Sequence, residues 1–267
     1  MHETNILTLA LRLAKEAGDL IASQRKSLSL TYKNGNELVT QADVAADELI
    51  TAAIRRNYPD HQILSEELNP DELNKAGQHE HLWIVDPIDG TVNFAHGHPQ
   101  VAVSIAYYHN GKARVGVVHN PFTNETFHAQ AGKGARLNDV PVHCTEKADL
   151  SRAIIATGFP YEIDNLALLM RRLEQVLANC ADIRRLGAAA LDICWVACGR
   201  LDGYYESVKP WDFAAAQLIA REAGASFGHI QPLSVEVNPQ LCGDNILITA
   251  APLFNPLQAL LREAEEK

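Results

Sequence analysis

A chain of 267 residues with 47% hydrophobic content can bury a large core, as one big domain or two intimate halves. Its formal net charge of −10 argues against a nucleic-acid surface, because gripping a phosphate backbone draws on lysine and arginine; acidity suits metal ligation and solubility instead. Met1-His2-Glu3-Thr4-Asn5 has no basic region ahead of an apolar block, and the longest apolar stretch, Ala188 to Cys198, carries Asp192 and is too short for a bilayer, so neither a secretory signal nor a membrane span is expected.

Residues 4 to 25 read as an amphipathic helix, with Ile6, Leu9, Leu13, Ala17, Leu20 and Ile21 near helical spacing. Lys33-Asn34-Gly35-Asn36 reads as a turn, and a second helix is expected from about Thr40 to Tyr58, ended by Pro59-Asp60. A short strand at Ile63-Leu64 runs into Ser65-Glu66-Glu67, and the polar segment from Asn69 to Glu80 reads as a mobile loop. Trp83-Ile84-Val85 is an apolar strand that Pro87 is expected to stop. Val101 to His109 and Ala113 to His119 are β-rich and joined by Asn110-Gly111, the dipeptide of tight hairpins; Glu125 to Gln130 adds a strand and Gly132-Lys133-Gly134 a turn.

From Arg152 onward, strands at Ala153 to Ala156, Asp182 to Arg185, Gly203 to Tyr205 and Ile246 to Thr249 alternate with helices at Leu166 to Leu177, Ala188 to Cys198, Asp212 to Ala223 and Leu253 to Glu266. Trp195 is expected in the core, as are the thiols of Cys194 and Cys198, one helical turn apart. Five cysteines without a close Cys-x-x-Cys pair fit a reducing cytoplasm. The order of elements predicts a layered α/β protein: an antiparallel sheet in the N-terminal half, about residues 1–145, and a mixed sheet in the C-terminal half, about 146–267.

Four places put acids at element ends, where ligands are commonly bound: Asp43, Glu66-Glu67, Asp86 with Asp89, and Asp212. Asp43 in Thr40-Gln41-Ala42-Asp43 also reads as a capping box, Asp212 as a plain helix cap, and Glu66-Glu67 as a solvated loop edge. Asp86-Pro87-Ile88-Asp89-Gly90-Thr91 is different. An ordinary turn has no need of two acids after a buried strand with a glycine and a hydroxyl behind them. These acids suit divalent cations, with Gly90 letting a backbone approach a ligand and Gly90-Thr91 touching a phosphate. A calcium loop of the EF-hand type would want glutamate at its twelfth position, where Gly97 stands. The covalent Asp-x-Asp-Gly-Thr loop of haloacid-dehalogenase-type phosphatases would want an acid where Pro87 or Ile88 stands. His96-Gly97-His98 invites a transition metal but has no third ligand spaced with it, so both read as surface or substrate-rim histidines.

The whole chain resembles the inositol monophosphatase family. The resemblance rests on Trp83 to Phe94 and on Trp211-Asp212-Phe213-Ala214-Ala215 followed by Arg221-Glu222-Ala223-Gly224. Leu38-Val39-Thr40-Gln41-Ala42-Asp43, Ser65-Glu66-Glu67, Ala156-Thr157-Gly158-Phe159-Pro160 and Arg185-Leu186-Gly187-Ala188-Ala189-Ala190 follow the family's order. The resemblance implies alternating αβαβα layers and a lithium-sensitive phosphoric monoester hydrolase using two or three Mg²⁺ ions. Glu66, Asp86 and the Ile88 carbonyl would hold one ion, and Asp86, Asp89 and Asp212 a second. A third, weaker ion would lean on Glu66 and waters. Thr91 and Asp43 would orient and deprotonate the attacking water, and the Gly90 and Thr91 amides would hold the phosphate. Gly187, Ala188, Ala189 and Glu206, with Asp89 and Asp212, would contact the substrate.

Val92-Asn93-Phe94 resembles the inositol branch, and Arg184-Arg185 with Gly203-Tyr204-Tyr205-Glu206 the bacterial members. The resemblance further implies a cytoplasmic homodimer acting on a small phosphorylated polyol. One bacterial member is associated with transcription antitermination, so transcription-complex partners stand as the non-enzyme alternative. A fructose-bisphosphatase or phosphonucleotide phosphatase is the other. Three positions depart from the pattern: Ala188 replaces a frequent hydroxyl, Ala225 a second glycine, and Ser226 to Gly243 reads as a different loop.

Overall fold

The computed structural model describes residues 2–25, 30–33, 37–159 and 165–265. Asn34 to Asn36 of the expected turn and Pro160 lie outside the described residues. The chain runs α1 (His2–Gln24), β1 (Leu30–Lys33), β2 (Glu37–Thr40), α2 (Gln41–Asn57), β3 (Gln62–Ser65), β4 (His81–Asp89) and α3 (Thr91–His96). A meander follows: β5 (Ala102–His109), β6 (Lys112–Asn120), β7 (Glu125–Gln130), β8 (Ala135–Leu137) and β9 (Val140–Val142). Then come β10 (Ile154–Thr157), α4 (Leu166–Asn179), β11 (Asp182–Arg184), α5 (Ala189–Ala197), β12 (Gly203–Glu206) and α6 (Pro210–Glu222). The last elements are β13 (Ala225–His229), β14 (Ile246–Ala250) and α7 (Phe254–Glu263).

β1 and β2 pair as a hairpin, a seven-stranded sheet runs β3-β4-β5-β6-β7-β8-β9, and a five-stranded sheet runs β11-β10-β12-β14-β13. Each sheet has helices on both faces, giving αβαβα layers. On the outer face of the larger sheet, Ile6, Leu13 and Ile21 of α1 and Ile50 and Ile54 of α2 pack against Trp83, Val85 and Val117. Between the sheets, Ile193 of α5 and Phe213, Ala215 and Ile219 of α6 pack against Ile84, Ala106 and Val118 on one side and Tyr204 and Ile248 on the other. Val176 of α4 and Leu257 and Leu261 of α7 cover the far face of the smaller sheet. α6 lies so close to β6 that a Cβ on Gly116 would meet the Ala215 carbonyl at 2.5 Å, so only glycine fits there.

Several expectations are corrected. The larger sheet is antiparallel except for β3 and β4, which run parallel. Parallel neighbours need a crossover, and the segment expected to be a mobile loop supplies it as 3-10 turns over Pro70–Gln78, with Ala76 buried in the core. Pro87 does not stop its strand: β4 continues to Asp89 through an irregularity in which Asp86 pairs with Ser104 and Asp89 with Ala102. Pro87 sits inside that bulge, where the missing N–H costs no ladder bond, and the extra residue re-aims the two acids. Ser226 is not the start of a loop but part of β13, antiparallel to β14. β8 and β9, three residues each, carry too few positions for an alternating pattern to be read. Trp195 and Cys198 reach only the edge of the core, while Cys194 is fully buried; all five cysteines are free. Among the described residues, no helix is long and apolar enough to cross a membrane.

Candidate active site

The bulge at the end of β4 delivers Asp86 and Asp89 to one point, 1% and 7% exposed respectively. Asp212 arrives from the first turn of α6, and ligand oxygens of these three acids lie within 4.8 Å of one another. Asp86 Oδ1 accepts the Ile88 amide at 3.0 Å, which sets its rotamer. Both Asp89 oxygens accept amides that open α5, Ala189 N at 3.1 Å and Ala190 N at 2.7 Å. Ala188, at the cap position of α5, has no side chain for that task, so an acid 100 residues earlier in the chain caps the helix for it. Asp212 Oδ2 accepts the Lys209 amide at 2.7 Å in the first turn of α6.

Asp43 completes the arrangement from α2. Its Oδ2 accepts the Thr40 amide at 2.8 Å and the Thr40 hydroxyl at 2.5 Å, closing a capping box. Its Oδ1 faces Thr91 Oγ1 at 3.2 Å. The same hydroxyl lies 3.1 Å from the Ile88 carbonyl, so its one proton has two acceptors within reach. Acids from three helix N-termini thus meet at one place, where the peptide dipoles favour negative charge.

The dipoles do not fully offset the crowding. Burial, then the charges of Glu66, Asp89, Asp212 and Asp43, holds the Asp86 carboxyl well above the usual carboxylate range. Burial and Asp212 do the same to Asp89, against the pull of the two α5 amides. Burial lifts Asp43 to about 6, although Thr40 and Thr91 donate to it. Burial also lifts Glu206 to about 7, opposed by the Tyr204 hydroxyl that donates to its Oε2 at 2.5 Å and reinforced by Asp212. A hard divalent cation among these oxygens relieves the repulsion that raises them, and an all-oxygen donor set of this kind fits Mg²⁺.

Of the residues singled out in the sequence, Asp86, Asp89 and Asp212 converge where they could hold a metal ion, and Thr91 and Asp43 face each other beside them. Glu66 does not join the group within 4.8 Å, although its charge is the largest single charge acting on Asp86. The loop that bears it is held by Asp47, whose Oδ2 accepts the Glu67 and Leu68 amides at 3.2 and 3.1 Å. Gly90 has φ +91°, and a Cβ there would meet the Gln100 carbonyl at 2.7 Å and the Gly187 carbonyl at 3.1 Å. The space glycine leaves therefore admits protein backbone, where the sequence led us to expect a ligand. Gly187, Ala188 and Ala189 lie against this turn, tied by Asn93 Nδ2 to the carbonyls of Leu186 at 2.7 Å and Gly187 at 3.2 Å. His96 and His98 are exposed, and the segment serves instead as the acceptor for Arg25, which donates to the carbonyls of Asn93, Phe94 and His98.

Sequence reasoning missed Asp47, Asn93 and Asp192 as parts of this region. Asp47 stands one helical turn after Asp43, a spacing that marks a shared face. Asp192 is a lone acid in an apolar helix, buried, held well above the usual carboxylate range by burial and by Asp89 and Glu206. Nothing in the sequence near Asn93 marks a partner 93 residues away.

Residues 2–265 match the profile of the inositol monophosphatase family. The chain belongs to that family. A relative from Pasteurella multocida named Nus factor SuhB is 44% identical over 224 residues, covering 82% of this chain and 83% of its own. Among solved structures, an extragenic suppressor protein suhB from Bartonella henselae is 32% identical with a TM-score of 0.86, covering 97% of this chain and 99% of its own. An inositol monophosphatase from Anabaena (Nostoc) sp. PCC 7120 is 31% identical with a TM-score of 0.83, covering 98% of this chain and 97% of its own. Family membership and these neighbours support a phosphatase on this fold.

Proposed function

We propose that the protein is a Mg²⁺-dependent phosphomonoesterase acting on inositol monophosphate and related polyol phosphates. The observation that carries this reading is the convergence of Asp86, Asp89 and Asp212 within 4.8 Å, beside the Thr91–Asp43 pair. In this reading Asp86, Asp89 and Asp212 hold one ion, while Glu66, Asp86 and the Ile88 carbonyl hold another. Bound magnesium supplies charge neutralisation for the phosphate and lowers the cost of ionising water. The chain's own residues do the remaining work. Thr91 Oγ1 accepts a proton from the attacking water as it passes its own to Asp43 Oδ1, and Asp43 is suited to this because burial brings it to about 6, near working pH. The Gly90 and Thr91 amides, at the opening of α3, face the phosphate. Gly187, Ala188, Ala189 and Glu206 border the alcohol part, where Ala188 offers no hydroxyl and so leaves polyol specificity loose. In-line phosphoryl transfer asks little more than this positioning and charge balance.

The test is phosphate release from a panel of inositol 1-phosphate, other polyol phosphates, fructose bisphosphate and a phosphonucleotide, with and without magnesium and across a lithium titration. Magnesium-dependent, lithium-inhibited release from the inositol and polyol phosphates is expected, and release from none of the panel would sink the reading. A second reading, a transcription antitermination partner with the phosphatase activity secondary, is favoured by the relative named Nus factor SuhB. Retention of RNA polymerase or antitermination factors on the immobilised protein tests it. The same kinship supports a cytoplasmic homodimer, which light scattering checks for assembly.

A further inference from the structure

The opposite end of β4 carries a second convergence of metal-ligating side chains, made of different chemistry. His81 opens β4 and His109 closes β5, and the two are directly paired across the ladder. Their rings stack with centroids 5.0 Å apart and planes 16° apart. Glu80, next to His81, places Oε1 3.8 Å from His81 Nε2 and 3.5 Å from His109 Nε2. One ligand atom from each of the three lies within 4.8 Å of the others.

We propose that Glu80, His81 and His109 form a binding site for a borderline transition-metal cation, zinc above all, separate from the magnesium-type acids. Three observations support this. First, the spacing is close to what an ion needs: tetrahedral ligands at about 2.0–2.1 Å stand about 3.3 Å apart, so the two measured Glu–His distances need to close by only a few tenths of an ångström. Second, one of the two rings is oriented from behind. His81 Nδ1 is hydrogen-bonded to the Tyr107 hydroxyl at 2.8 Å, leaving Nε2 on the Glu80 side. His109 Nε2 also meets the Asn110 amide nitrogen at 3.4 Å, a long contact at the nitrogen that would bind, and an ion there would displace it. Third, the donor set of two imidazoles and a carboxylate selects against Mg²⁺ and for Zn²⁺, Ni²⁺ or Cu²⁺, with a fourth position left to water.

The His81 ring also continues into a stack with His61, 4.4 Å between centroids, and His61 Nδ1 accepts from the buried indole of Trp83 at 3.0 Å. That packing holds the His81 ring in place on a rigid strand, so an ion there ties the start of β4 to the end of β5. The catalytic-type acids begin five residues further along β4, about 17 Å away at the rise of an extended strand. The two sites therefore share no ligand.

The experiment is a zinc titration of the metal-stripped full chain by calorimetry in excess magnesium, with Co²⁺ absorption as a second readout of nitrogen and oxygen ligation. Wild type and Asp86→Asn should each take up a zinc equivalent that Glu80→Gln weakens at least about tenfold and His109→Gln abolishes. Glu80 is 69% exposed along its side chain, so Glu80→Gln leaves the fold intact and decides the matter even where a histidine variant melts early. A zinc equivalent that survives both Glu80→Gln and His109→Gln, one that disappears in Asp86→Asn, or no wild-type uptake below millimolar zinc overturns the proposal.

Discussion

The two ends of β4 make an instructive pair. One end gathers buried and half-buried carboxylates, Asp89 and Asp212 held by amides at helix N-termini and Asp86 by the Ile88 amide, and burial with mutual repulsion leaves Asp86 and Asp89 well above the usual carboxylate range. The other end gathers imidazoles and one exposed carboxylate against a ladder of stacked rings, with no helix terminus aimed at it. The same strand supports both because register with β5 sets what meets what. Regular pairing places His81 opposite His109, and the bulge after Asp86 turns Asp89 into the site. What differs is the cost of emptiness. The acid end stores repulsion that a hard cation would relieve, whereas the histidine end is held by ring stacking and the Tyr107 hydrogen bond, so the ion proposed there would relieve no such strain.

The largest effect expected is at the acid end. Asp86→Asn removes the oxygen shared by the proposed ion positions, so magnesium-dependent turnover should fall by at least about 10³-fold while circular dichroism keeps the native spectrum. Near-normal turnover in that variant would put the site elsewhere. Thr91→Ala comes next: it deletes the proposed proton path to Asp43, and kcat should fall by about 10²-fold or more with KM little changed, within the range for a lost general acid–base group.

A milder but sharper contrast comes from pH. Asp43 and Asp47 are lifted from 3.8 to about 6, and Glu206 from 4.5 to about 7, chiefly by burial. A folded-state carboxyl that binds its proton more tightly than in the unfolded chain makes stability fall as pH rises between the two pKa values. Metal-free protein should therefore melt at a higher temperature at pH 5 than at pH 7.5, and magnesium should raise the melting temperature more at pH 7.5. A melting temperature of metal-free protein that climbs steadily from pH 5 to 7.5 would contradict this account of the acid cluster. The smallest effect is at the histidine end: Glu80→Gln should leave magnesium-dependent turnover within about twofold of wild type, since nothing in the proposed chemistry touches it.

Much of the acid site was legible because its residues sit in dense local patterns. Asp86-Pro87-Ile88-Asp89-Gly90-Thr91 holds two of the clustered acids, the turn and the hydroxyl in six consecutive positions. The capping reading of Asp43 and Asp212 does not exclude the catalytic one, since each acid caps its helix and faces the acid cluster with the same carboxylate. The purpose of Gly90 was half legible: the need for a positive φ is a property of the residue, but the Gln100 and Gly187 carbonyls that crowd it come from other elements. The histidine cluster was invisible because His81 and His109 are 28 positions apart, while the visible pair, His96 and His98, lies on the surface.

The sequence by itself determined the layered α/β class, the helices and most strands, the tight Asn110-Gly111 turn with φ of +50° and +70°, and the set of acids available for chemistry. These follow from periodicity, turn stereochemistry and side-chain type, which act within a few residues. Only the tertiary structure decided that β3 runs parallel to β4, that β4 survives Pro87 through a bulge, that Asp89 caps α5 and that His109 stands opposite His81. Each of those depends on register between strands or on a helix end meeting a distant loop, and such pairings are set by which apolar faces the whole fold buries together.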